Sequence, residues 1–443
     1  MASKTTPTPK TWLYRPEFPQ HWERRPLYSL AEWVNGLAFR DIEFSPSGRP
    51  VIKIAEIKGG VSDQTDFTDQ VFDESVHVRS GDLLFAWSGQ PETSIDVSWW
   101  RGPDGWLNQH IFRVTPHPDV DRTFFYYLLR YLRPNFVGIA RNKQTTGLGH
   151  VTKRDLESIE VGFPPLPEQR TIAHILGTLD DKIELNRRMS ETLEAIARAL
   201  FKSWFVDFDP VRAKSEGRDP GLPQPLADLF PDSFEDSELG EIPKGWRAGT
   251  LGDILCQRVE RCVTSAETVA RPYVPIDCIS PRSLLLMDSK PGEEAQSSLT
   301  KFYEGDLLFG AMRPYFHKVC IAPFAGTTRT TVFVFYPREA DDFAFATLQL
   351  HHADTIDFAT RHSTGSTIPY AVWTGSLDTM PVIAPPPDVR KAFNSLVGPV
   401  LLRIPKPYFE NGTLAALRDA LLLKLIFGEL RVEDPARFRG GGD

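Results

Sequence analysis

The sequence predicts an α+β protein in which two similar domains are joined by a long antiparallel helical pair, an internal repeat with pseudo-twofold character. Three observations predict it. Apolar side chains recur at Ile172, Leu176, Leu179, Ile183, Met189, Leu193, Ile196, Leu200 and Trp204, at steps of three, four or their sums. That spacing keeps one stripe on one helical face. Second, short motifs recur in the same order about 220 residues apart. Third, a second apolar helical pattern follows the second copy.

The chain is polar and proline-rich over residues 1–18, read as a tail. Residues 19–165 form a first mixed domain: β-rich runs at 51–57, 81–86 and 110–115, a helix-like stretch at 123–131, a loop at 141–150 (RNKQTTGLGH) and a last strand at 159–163. Residues 166–211 carry the long helix. Nothing from Glu168 to Phe208 is a proline and Gly177 is the only glycine, so about 38 residues make a rod of roughly 57 Å. Dense charge off the stripe favours a coiled-coil strut over a helix buried across one domain. Asn186 falls on the stripe, where a polar residue can set register. Residues 212–241, rich in Pro, Gly, Asp and Glu, read as a linker. A second mixed domain covers 242–386, a helical region 387–432, and a tail 433–443.

The repeat carries this division. Pro19 and Trp22 are matched by Pro243 and Trp246, at 243 − 19 = 224. Gly-Asp-Leu-Leu-Phe at 81–85 returns letter for letter at 305–309, again 224 residues on. Thr146-Gly147 is matched by Thr364-Gly365 (364 − 146 = 218), and Pro164-Pro165 by Pro385-Pro386 (385 − 164 = 221). The run from Thr192 to Leu200 is echoed from Thr413 to Leu421, at 413 − 192 = 221. In the second helical region Phe393, Leu396, Val400, Leu414, Leu417, Leu421 and Leu425 form the stripe. Pro399, Pro405, Pro407 and Asn411-Gly412 interrupt it, so two pieces are expected, at 388–403 and 413–427.

With 443 residues the chain exceeds one ordinary core. No run of about 18 apolar residues is present, which excludes a membrane-spanning helix. The N-terminus lacks the apolar core of a signal peptide, which predicts a cytoplasmic protein. Cys256, Cys262, Cys278 and Cys320 lack metal-ligand spacing and read as reduced thiols. A formal charge of −8 argues against a protein that coats nucleic acid at large, though a local basic surface is compatible with it.

Motifs for phosphate-binding loops, dinucleotide folds, zinc proteases and nucleophile elbows are absent from the sequence. His351-His352 with Asp354 is read as a solvated helix end, and no metal, cofactor or catalytic group is assigned. The residues suited to DNA contact lie in two places. The first loop offers Arg141, Asn142, Lys143, Gln144, Thr145, Thr146 and His150, with Gly147 and Gly149 allowing close backbone approach. The second half offers Arg313, Tyr315 and Lys318 after the second Gly-Asp-Leu-Leu-Phe, and Arg361, Ser363, Thr364 and Ser366 in the shorter loop. The competing reading is that these are ordinary polar loops closing each domain.

These features together resemble the specificity subunit of type I restriction–modification systems over nearly the whole chain. The carrying residues are Pro164-Pro-Leu-Pro-Glu-Gln-Arg170 leading into the long helix, the paired Gly-Asp-Leu-Leu-Phe segments and the Thr-Gly loops. Lys202-Ser-Trp-Phe-Val-Asp-Phe-Asp-Pro-Val211 and the closing Leu421-Leu-Leu-Lys-Leu425 with Gly428-Glu-Leu430 add to it. The resemblance implies two target-recognition domains, each reading one half of an asymmetric bipartite target in double-stranded DNA. It implies helices that set the spacing and dock modification (methyltransferase) subunits, two of them, with restriction subunits joining the complex. Leu176, Leu179, Ile183, Leu193, Leu200, Trp204, Leu414, Leu417 and Leu421 are the docking-helix residues expected. S-adenosylmethionine, ATP and Mg are expected on the partners. Leu423 stands where the family often has proline, and Pro405 and Pro407 break a helix that is usually more continuous. The rival functions are a self-contained methyltransferase or nuclease, and a protein-binding scaffold.

Overall fold

The computed structural model describes residues 18–39, 44–144, 147–296, 298–365 and 367–430. The chain divides into two compact units: Met1–Asp181 with Leu414–Asp443, and Lys182–Thr413. The outer tails expected at 1–18 and 433–443 lie, but for Phe18, outside the described residues.

Unit one is built on a four-stranded antiparallel sheet in the order Ala31–Asn35, Ile111–Pro116, Leu83–Ala86, Asp96–Trp99. Unit two repeats that order with Leu255–Gln257, Val332–Pro337, Leu307–Gly310 and Val319–Ile321. The shared Gly-Asp-Leu-Leu-Phe segment explains itself in this frame. Gly81 and Gly305 turn the chain at φ +91 and +85, where only glycine is unstrained. The aspartates then accept from the amides three residues back, Arg79 and Tyr303, each at 2.8 Å. Leu83–Phe85 and Leu307–Phe309 form central strands that are fully buried.

Each unit also clamps its ends. Glu23–Pro26 pairs with Glu160–Phe163, and Arg247–Thr250 with Pro381–Ala384. In unit one the Pro-Glu-Gln-Arg motif finishes the clamp. The amide of buried Gln169 donates to the Pro164 carbonyl at 2.8 Å and its oxygen accepts from Asp121 N at 2.8 Å. Glu168 accepts from the Trp22 indole at 3.1 Å. In unit two the position equivalent to Glu168 is Val389 (168 + 221), and the buried Trp246 indole has no hydrogen-bond partner among the described residues.

The long helix spans Leu166–Phe205, 40 residues or about 60 Å. It ends three residues earlier than the sole-glycine run suggests, because Phe208 takes a left-handed backbone (φ 55) and starts a separate helix, Asp209–Ser215. The second region is two helices, Pro387–Arg403 and Pro407–Ile426. Pro405 and Pro407 break it as expected. Asn411 and Gly412 do not, since Pro407 opens the last helix at its first position, where a missing N–H costs nothing.

In unit two the helices run antiparallel. Asn186 donates to Glu410 (3.0 Å) and Asn411 (2.9 Å), Ser190 to the Ile404 carbonyl (3.2 Å), and Phe205 meets Phe393 with centroids 4.8 Å apart. In unit one Arg418 donates to Asp180 at 2.6 Å, and Tyr127 Oη donates to its other oxygen at 2.6 Å. The seam corrects the expected stripe. Its centre in unit two is Asn186, Ser190, Glu194, Ala197, Phe201 and Phe205, all buried. Leu193 and Leu200 flank it half-buried, whereas Ile196, Leu396 and Leu417 are exposed. Polar side chains win the centre because each finds a partner there, which hydropathy spacing cannot register.

Three further expectations are revised. The strand expected at 51–57 stops at Ile52; Glu56 accepts from the Lys53 amide at 3.0 Å and starts the helix Ile54–Gly59. The helix expected at 123–131 runs from Arg122 to Asn142 through Pro134, held by burial of Phe124, Leu128, Leu132, Phe136 and Ala140. It therefore takes Arg141 and Asn142 out of the expected loop. The stretch 212–241 is packed rather than loose: a hairpin pairs Phe234–Ser237 with Gly240–Pro243, and Phe230 is buried against Trp204 at 5.0 Å.

Candidate nucleic-acid interface

The loop after each Gly-Asp-Leu-Leu-Phe strand is brought to the Thr-Gly loop of the same unit. In unit one Ser88 and Gly89 pair antiparallel with His150 and Gly149, and Val151 N donates to the Trp87 carbonyl at 2.9 Å. In unit two Ala371 N donates to the Ala311 carbonyl at 2.8 Å, and Arg313 N to the Pro369 carbonyl at 2.7 Å. Trp87 and Ala311 are equivalent by the same 224-residue offset (311 − 87). Residues far apart in sequence thus form one surface element in each unit.

Glycine is required at these crossings. A Cβ on Gly149 would lie 2.2 Å from the Ala140 carbonyl oxygen. Gly365 has φ +93, and a Cβ there would meet the Ile368 carbonyl at 2.7 Å.

Several expected contact residues are spent inside the unit. Arg141 ion-pairs with Glu92 at the end of its helix. Arg133, from the same basic run, donates to the carbonyls of Glu92 (2.7 Å) and Ile95 (3.1 Å). Lys143 Nζ reaches both oxygens of Asp155, at 2.6 and 2.5 Å. Burial alone would raise the Asp155 carboxyl, but the bonds from Lys143 and Thr152 more than offset it and hold it below its usual range. Gln144 Nε2 donates to the Gly147 carbonyl at 2.6 Å. Asn142 and Arg154 are exposed, and neither has a side-chain partner among the described residues. Thr145 and Thr146 lie outside the described residues, as does Ser366.

In unit two Lys318 Nζ donates to the Ile276 carbonyl at 2.8 Å. Arg361 Nε reaches the Asp357 carbonyl at 3.3 Å, and Ser363 Oγ the Thr360 carbonyl at 2.8 Å. Thr364 and Tyr370 exchange backbone bonds at 2.8 Å. Tyr315 is 49% exposed, beside Phe316 at 46%. Arg282, which sequence reasoning missed, reaches this place through its amide, donating to the His317 carbonyl at 2.7 Å.

A buried polar group supports these loops from the long helix. Glu194 accepts from Leu284 N at 2.9 Å and Ser283 Oγ at 3.1 Å, and lies 3.9 Å from His351 Nε2. His317 Nε2 meets the His351 carbonyl at 2.8 Å. Burial raises the Glu194 carboxyl and pushes the His351 imidazole down to about 3. His351-His352, expected as a solvated end, is solvated only at His352; His351 is buried. Among the described residues no cluster of three or more metal-ligating side chains occurs, and no helix is long and apolar enough to cross a membrane.

The comparisons with known proteins agree with this geometry. The family described as type I restriction modification DNA specificity domain matches residues 19–195. Over 94% of the chain and 95% of the relative, the sequence is 26% identical to the type I restriction enzyme MjaIX specificity subunit of Methanocaldococcus jannaschii. It is 23% identical to the HindI specificity subunit of Haemophilus influenzae over 67% of the chain and 74% of the relative. The crystal structure of the type I restriction–modification S subunit from M. genitalium shares the fold, with a TM-score of 0.55, 15% identity, and coverage of 93% of this chain and 97% of that one. The match reaches the start of unit two, and the repeated sheet order carries the same architecture through the remainder.

Proposed function

We propose that this chain is the non-catalytic DNA sequence-recognition subunit of a type I restriction–modification complex. Each unit reads one half of an asymmetric bipartite target in double-stranded DNA. The observation that carries this is the loop pair built identically on the same sheet in both units but furnished with different side chains. Unit one presents Ser88, Asn142 and His150; unit two presents Arg313, Tyr315, Arg361 and Thr364. Different donors and acceptors read different base edges, so the two halves differ. Arg141 and Lys143 serve by anchoring the first loop, through Glu92 and Asp155, rather than by holding phosphate.

The exposed flanks of the helices, with Leu179, Ile183, Leu414, Leu417 and Leu421 on or beside them, dock two modification subunits, and restriction subunits join them. S-adenosylmethionine, ATP and Mg are bound by those partners, and the complex works in the cytoplasm. The test is an exchange of residues 11–165 for the same segment of a relative, followed by mapping of methylated motifs in cells carrying the modification subunits. A change in one half of the motif is expected. A change in both halves, or in neither, refutes modular reading. Methylation or cleavage by the purified chain alone would identify it as an enzyme instead.

A further inference from the structure

Four non-glycine residues take a left-handed backbone among the described residues, and three of them meet at one place in unit two: Arg282 (φ 56), Arg313 (φ 51) and His317 (φ 53). Such strain persists only where the surroundings over-determine it, and it clusters at working sites. Here the surroundings are identifiable. Arg313 N is fixed to the Pro369 carbonyl and the His317 carbonyl to Arg282 N, each at 2.7 Å. His317 Nε2 is held by the His351 carbonyl at 2.8 Å, and Glu194 holds the chain just after Arg282 through Leu284 N at 2.9 Å.

What this scaffold holds out is a single tight turn, Pro314–Phe316, bracketed by the two strained residues. Tyr315 and Phe316 are its tip, with ring centroids 4.8 Å apart. They are the only adjacent pair of exposed large aromatics among the described residues. Ordinary folding buries such rings, so an over-determined turn that exposes two of them serves contact with something else. The neighbouring charge indicates what. Arg282 and Arg313 have no carboxylate partner among the described residues, and Arg282 is tied to the end of the turn by its amide bond to the His317 carbonyl. Arginines without carboxylate partners, on the segments that hold a turn with two exposed rings, suit a polyanion carrying flat, stackable groups. The equivalent turn of unit one, Gln90 to Glu92 by the 224-residue offset, carries no aromatic side chain.

We propose that Tyr315 and Phe316 form an aromatic wedge that enters an opened base step of the half-site read by unit two, with Arg282 and Arg313 on the adjoining phosphates. The proposal rests on the DNA-reading function proposed above and makes the two half-sites differ in kind. Unit one reads base edges with polar side chains, whereas unit two also reads deformability and favours an easily unstacked pyrimidine–purine step. A turn already rigid in the free protein loses little freedom on insertion.

The experiment uses the chain assembled with its modification subunits and a duplex of the motif found by methylation mapping. 2-Aminopurine is placed at successive positions through each half-site. The wild-type complex is expected to raise fluorescence at one step of the unit-two half only. The Y315A/F316A double variant should lose that signal and about 10- to 100-fold in target affinity, with unrelated DNA bound as before. The Y315F/F316Y variant should keep both. Arg282→Gln should weaken target and unrelated DNA alike and reduce the salt slope by about one. Tight target binding without fluorescence enhancement in that half overturns the wedge, as does full target affinity in the double variant. A double variant that no longer assembles shows that the rings dock a protein, which also overturns it. A wild-type complex with no sequence preference refutes the DNA-reading function itself.

Discussion

Replacing Glu194 by leucine is expected to destabilise unit two, whereas replacement by glutamine is not. The carboxylate is 3% exposed and accepts from Leu284 N and Ser283 Oγ. Leucine leaves both donors without an acceptor, at about 1–3 kcal/mol each. Removing a desolvated charge returns part of that, so a net loss of about 1–4 kcal/mol is expected for Glu194→Leu. Glutamine keeps one oxygen for Leu284 N and brings an amide toward His351 Nε2, which lies 3.9 Å from the present carboxylate and has no hydrogen bond among the described residues. Glu194→Gln should fall within about 1 kcal/mol of wild type. Acid response separates them further. Burial pushes His351 down to about 3 from 6.5, so its neutral form is favoured by folding. That contribution is complete above about pH 6.5 and is lost as pH falls toward 3. Glu194 is raised, so it opposes folding above its unfolded value of 4.5 and the opposition fades as pH falls through its folded value. The two responses partly cancel in the wild type; Glu194→Gln, lacking the second, should acid-unfold more steeply. Urea midpoints at several pH values, with hydrogen exchange of residues 279–286 as a local probe, measure this. Equal loss in the leucine and glutamine variants would refute the reasoning.

Arg258 grips Asp306 through two bonds of 2.8 and 3.0 Å while the carboxylate is only 5% exposed. Arg258→Met should therefore cost unit two about 3–5 kcal/mol in urea unfolding, since it strands a buried charge. Gly149→Ala drives a Cβ to 2.2 Å from the Ala140 carbonyl, so the pairing with Gly89 should open and specific DNA binding should fall at least tenfold, read by anisotropy on the assembled complex. Lys143→Ala should loosen the helix at 153–158 and raise its hydrogen exchange. Because the Asp155 carboxyl is held low, the lysine's contribution should be present above the unfolded carboxylate range and vanish as pH falls through the folded value. An unchanged exchange rate with a lowered salt slope of DNA binding would instead make Lys143 a phosphate contact.

The two-fold repetition, the long helix and the break near Pro405–Pro407 were legible in the sequence. A duplicated chain repeats its turn glycines and buried strands, and proline acts on its own backbone wherever it stands. The same holds for Gly81 and Gly305, whose identity follows from a local φ. What the spacing of apolar residues could not reveal is which helical face meets a partner. Asn186, Ser190 and Glu194 occupy the seam because Asn411, the Ile404 carbonyl and the Leu284 amide happen to face them, and those partners lie 90 to more than 200 residues away. The candidate site divides the same way. The basic loop and the Arg-Pro-Tyr-Phe-His turn were visible as residue types. That Lys143 is consumed by Asp155, while Arg282 meets the end of the Tyr315–Phe316 turn through its amide and has no carboxylate partner among the described residues, is settled only when distant segments fold together, because the availability of a charge depends on its neighbours in space and not in sequence.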